Sequence, residues 1–302
     1  MRIKSKNSNT RKKIIICMLW MFCSLAVVPA HAFQDDKKNT SQDKTITDQA
    51  EYDSYMKALN ETSAAQKGAL MVTFVEKYPK SVVLNDALAN ALAAYQAAGD
   101  EPNVAAVSNH ILAIEPNHVR ALAILTFITR QKASANNDVK LAVEAAGYAE
   151  RGMKALLEWR KPEGMTDADF EKMGKSLSNI FYGALGFNAF VGKKYLDAKV
   201  PYLKALAVDP NNILDNYQLG ISMLMLPSKD PTGLWYVAKA TSLSKDSLAM
   251  HKVIEDFGKS AYKSLYRSDI GWVGFVEKVS KENAPPTPAP PKTALAKKVV
   301  KK

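Results

Sequence analysis

Two cysteines, four histidines and 30 acidic residues are the groups through which this chain could do chemistry, and their spacing argues against it. Cys17 and Cys23 both lie within the first 32 residues, so a chain processed after residue 32 has no thiolate, no disulfide and no cysteine-based metal site. His31 belongs to the same segment. His110, His118 and His251 show neither paired-ligand spacing nor a carboxylate set beside them, as a zinc site would need. There is no Gly-x-Ser-x-Gly elbow, no phosphate-binding Gly-Lys-Ser/Thr loop and no dinucleotide fingerprint. Asp167 and Asp169 are neighbouring acids, but they stand at a helix start, where the helix dipole accounts for them. Glu150-Arg151 and Glu277-Lys278 read as surface charges. The expectation is a protein that is not an enzyme, with no cofactor and no metal.

The ends differ in kind from the body. Arg2, Lys4, Lys6, Arg11, Lys12 and Lys13 precede an apolar run from Ile14 to Val28. Ala30-His31-Ala32 then fits the small-x-small pattern of signal cleavage, which predicts a signal peptide over 1–32 and a mature start at Phe33. An uncleaved inner-membrane anchor is the alternative, although the run is shorter than the ~20 residues a spanning helix prefers. Residues 33–47 are polar and are expected to form a flexible leader. Residues 269–302 are expected to form a flexible tail, Pro-rich from Ala284 to Pro291 and then lysine-rich. Removing the six basic residues of the first segment and the five lysines after Pro291 from the 41 present leaves 30, matching all 30 acidic residues. The body is neutral. The basic balance belongs to the two ends, so no nucleic-acid partner is expected, while the lysine tail could touch a membrane or a cell-wall polymer.

What would position any functional side chain is helix. From about residue 48 the apolar residues recur with helical spacing almost without interruption, and no segment alternates as a strand would. Asn179 to Asn212 is the most regular stretch: Tyr182, Leu185-Gly186, Ala198, Tyr202, Ala205 and Pro210 stand at spacings that let two antiparallel helices approach closely and then stop. This pattern resembles a tetratricopeptide repeat (TPR). Tyr217, Leu219-Gly220 and Met223, with Gly233, Val237 and Ala240, continue it over 213–247. Asp230-Pro231 supplies an N-cap and a first-turn proline. Glu115-Pro116-Asn117 closes an earlier unit containing Tyr95 and the turn Gly99-Asp100. The unit from Val119 carries a loop insertion at 134–137. Ser108, Thr126 and Ala189 depart from the pattern. An inserted segment, 157–178, feeds a long helix from Asp167 to Val191, with Thr166 and Asp169 as a capping box. Leu248 to Tyr266 suits a capping helix.

The resemblance implies an exported bacterial TPR protein: an all-α solenoid of about five antiparallel helix pairs over 48–268, with a C-terminal cap. It also implies that the first helices of successive pairs line a groove. On the last two pairs that strip is apolar, with Phe187, Phe190, Tyr217, Ile221 and Leu224 as the candidate partner-binding residues. The lysines, asparagines and arginines with which one TPR subgroup clamps C-terminal carboxylates are missing there. Two readings stay open. Either the strip binds a segment of another protein, or it is covered by the 157–178 segment, the capping helix or the tail. The functional expectation is a non-catalytic protein-interaction scaffold of the cell envelope, located in the periplasm. The alternative is a structural envelope protein held to membrane or cell-wall polymer by its basic tail.

Overall fold

The structure, a computed structural model, describes residues 45–285 apart from residue 229. The signal segment, most of the leader and the lysine-rich end therefore lie outside the described residues. The described chain forms helices joined by short turns: α1 (Gln49–Leu59), α2 (Ala64–Lys77), α3 (Leu84–Ala98) and α4 (Glu101–Ile114). There follow α5 (Val119–Asn136), α6 (Val139–Glu158), α7 (Asp167–Val191) and α8 (Tyr195–Val208). The last four are α9 (Ile213–Met225), α10 (Thr232–Leu243), α11 (Leu248–Tyr266) and α12 (Trp272–Ser280). Among the described residues there is no strand. From α1 to α11 each helix packs on its neighbours in sequence, with α5 also touching α7 and α7 also touching α9. The result is an all-α solenoid of stacked pairs.

Local chemistry sets the boundaries. Asp100, Asp138, Thr166 and Asn212 each accept a hydrogen bond from a backbone N–H in the first turn of the helix that follows, satisfying donors with no partner inside the helix. Gly99 stops α3 with φ +68°, in the left-handed region that glycine enters at little cost. Asp230 caps the start of α10 through the Thr232 N–H, and Pro231 already has helical angles.

Small residues set how close the helices come. A Cβ on Gly186 would lie 2.7 Å from the Tyr202 ring, so the Leu-Gly of one helix is the seat for the aromatic of the next. The following pair repeats the arrangement more tightly. A Cβ on Gly220 would lie 2.6 Å from Val237 Cγ2 and 2.7 Å from the Gly233 carbonyl oxygen. A carbonyl cannot rotate aside as a side chain can, so Gly220→Ala is expected to cost about 1–3 kcal/mol. Gly174, in α7, has nothing within 4 Å of a Cβ. There Gly174→Ala should add about 0.5–1 kcal/mol by removing helix-opposing backbone freedom. Urea unfolding of the two variants checks both signs.

Two expected boundaries need correction. The loop insertion placed at 134–137 is the last turn of α5. Ala133 is fully buried beside Ala142 and Phe187, the alanines favour helix, and only Asn137, at φ 50°, makes the turn. The tail does not begin at residue 269 either. Residues 272–280 form α12, which lays Trp272 and Val279 fully into the core against α10. At the other end, Ile46 of the expected leader packs partly buried against the first core cluster.

Candidate functional site

The helices α5, α7 and α9 lie side by side and form one wall. Its centre holds a buried ion pair. Arg130 on α5 reaches past α7 to Asp215 on α9, bonding the carboxylate through a guanidinium N–H. The passage exists because residue 183 is glycine: any Cβ there would fall on the Arg130 guanidinium. Asp215 is 1 % exposed and Arg130 17 %. Phe187 lies with its ring 5.7 Å from the Arg130 Cζ, adding a cation–π contact. Burial alone would lower the Arg130 guanidinium, but the charge of Asp215, nearby Tyr202 and the hydrogen bond raise it on balance.

Polar groups next to the pair are satisfied as well. Tyr202 on α8 donates its hydroxyl to Gln218 Oε1 at 2.6 Å, and burial pushes its phenol well above the ordinary range, so it remains a donor. Asn216 donates its amide to the carbonyls of Pro210 and Asn212. Ser222 donates to the Gln218 carbonyl. The bonds of Asn216 and Ser222 are local to α9 and the turn before it, whereas Tyr202–Gln218 and Arg130–Asp215 cross between helices and would be lost if one helix slid.

Against this floor the five expected partner residues separate. Phe187, 3 % exposed, is core: it packs with Ala133 and Ala142 beneath Arg130. Phe190, Tyr217 and Leu224 are half-buried and come together against one cluster that includes Leu219, Met223 and Trp235. Ile221 is also half-buried, and Met225 beyond it is half exposed. Of the candidate covers, the tail beyond residue 285 lies outside the described residues; among these the capping helix α11 reaches the strip, setting Phe257 edge-on to Tyr217 at 5.7 Å. The 157–178 segment instead runs from the end of α6 into the first half of α7, where Trp159 lies tilted against Phe170 at 4.6 Å.

The pairing of Arg130 with Asp215 past Gly183 is not among the readings that the sequence supplied. An acid in the first turn of a helix has a local explanation in the helix dipole, which hides a long-range one. The usable signal was Gly183, a helix-interior glycine three residues before the glycine that the repeat pattern explains.

One arrangement has the residue types of nucleophilic catalysis. Ser244 Oγ lies 3.1 Å from His251 Nδ1, and His251 Nε2 lies 3.7 Å from Glu255. Ser244 is buried at 1 % exposure and donates to the Thr241 carbonyl, to which His251 Nδ1 is also close, at 3.1 Å. These groups tie the end of α10 to the start of α11, where carbonyl ends welcome donors. Among the described residues, no three His, Asp or Glu side chains gather to hold an ion, and no helix is long and apolar enough to cross a membrane. Comparison of the chain with protein-family models, curated proteins and solved structures gave no match.

Proposed function

We propose that this chain is a TPR-type, non-catalytic scaffold exported to the bacterial cell envelope, and that it holds a segment of a partner protein along the wall made by α7 and α9. The observation that carries this reading is the half-buried line of Phe190, Ile221 and Leu224, with Met225 at its edge, above helices braced by the Arg130–Asp215 pair. An apolar strip on a rigid wall suits capture of an extended or helical segment, since little is lost in ordering the receptor. Phe187 belongs to the support of that wall and does not serve as a contact. Substituting it would report on folding, so it is a poor probe of binding.

The test is a photo-crosslinking residue placed at Phe190, Ile221 or Leu224 in intact cells, with Val143 on α6 as the control at 57 % exposure. The same polypeptide should be captured from all three inner positions and not from Val143. No adduct at the three, or equal capture at Val143, removes the strip as the binding site.

A further inference from the structure

Helix α8 buries one face and leaves another bare. Ala198, Tyr202, Ala205 and Leu206 are buried, whereas Leu196 is 67 %, Val200 57 % and Leu203 37 % exposed, and Ala207 is exposed with them. These four recur at i, i+4, i+7 and i+11, so they lie on one face of the helix as an apolar line, with Pro201 inside the helix beside it. Scattered surface leucines need no explanation, but a continuous line on a helix face is the signature of a contact.

The charges beside the line identify what it contacts. Asp197 and Lys204 are seven residues apart, hence on the same flank, and Val200 lies midway between them. Among the described residues neither has an ion pair; the Lys204 ammonium rests over the Tyr182 ring at 5.0 Å. We infer that α8 pairs antiparallel with α8 of a second copy of this chain, about a two-fold axis at Val200. That axis sets Val200 on its own copy and Leu196 on Leu203 of the second copy. Because it carries each flank onto the same flank, it also brings Asp197 to Lys204 of the second copy, twice, within about one residue's rise of 1.5 Å. Lys193 and Lys194 then meet the end of the opposing helix, where carbonyl ends and Asp209 favour cations. An anionic lipid surface would match a border of one sign. The flank carries both signs, arranged to complement itself. A contact of one helix from each copy is at the small end of specific interfaces, so the dimer forms reversibly.

Sedimentation equilibrium on the purified chain tests this independently of the inner-wall reading. Asp197→Lys and Lys204→Asp should each weaken self-association at least about tenfold, since each puts like charges opposite one another. Mixing the two variants should restore pairing as a heterodimer, and the double variant should restore it as a homodimer. Both residues are exposed, so helical circular dichroism should stay unchanged. A chain that remains monomeric throughout, or a dimer that ignores the single substitutions, overturns the proposal.

Discussion

Asp215→Ala is expected to lower stability by about 3–5 kcal/mol, because it strands the Arg130 guanidinium between α7 and α9 without its counter-charge. Arg130 keeps 17 % of its side chain exposed, so part of the lost solvation can be recovered and the lower end of that range is expected. The decisive comparison is with removal of both charges. Arg130→Met with Asp215→Leu deletes the Coulomb attraction and the desolvation cost together, and these nearly cancel for buried pairs. The double variant should therefore lie within about 1.5 kcal/mol of the parent, far above Asp215→Ala. Urea unfolding of the three proteins measures this. If Asp215→Ala costs less than about 1 kcal/mol, the pair behaves as an exposed one and does not brace the wall.

Trp272→Ala should cost about as much, roughly 3–5 kcal/mol, by a different route. Trp272 is 1 % exposed, lies over Gly258 of α11 and holds α12 against α10. Removing the indole opens a cavity that two helix ends cannot close. Past the other end of α12, Trp235 donates to the Glu282 carboxylate at 2.7 Å and Lys239 to the Glu282 carbonyl at 3.1 Å, so the chain after α12 is anchored on α10 as well. The Trp272 Nε1–H itself has no hydrogen-bond partner among the described residues. Trp272→Phe therefore abandons no acceptor and should cost less than half of the alanine effect, read from the same unfolding curves. Equal losses for the two variants would mean that the indole N–H, and not ring volume, dominates.

How much was legible differs between fold and site for a physical reason. Helix limits follow from neighbours in sequence, so Asp167–Val191 and Leu248–Tyr266 could be read from caps and periodicity, and the structure has those limits. Where local rules give two answers, reading failed. Ser134 and Asn136 suggested a loop, but burial of Ala133 keeps α5 helical to Asn136. Residues 272–280 looked like the start of a polar tail because one tryptophan, one phenylalanine and the valines supply too short a pattern. Their partners, Ile254 and Gly258, lie on the preceding helix. Phe187 and Phe190 are three residues apart and looked equivalent on a helix wheel. Arg130, far away in sequence, makes one of them core and leaves the other half open.

In a stack of repeats, each unit ordinarily senses only the one before and the one after, so an array can fray from an end or gain and lose modules cheaply. The bond from α5 to α9 breaks that rule, since it leaps over α7 and α8. Excising the α7–α8 module, or duplicating it, would leave both ionic ends without a mate. The three central pairs are thereby coupled by a contact that sequence neighbours alone would not supply, and they are expected to open together.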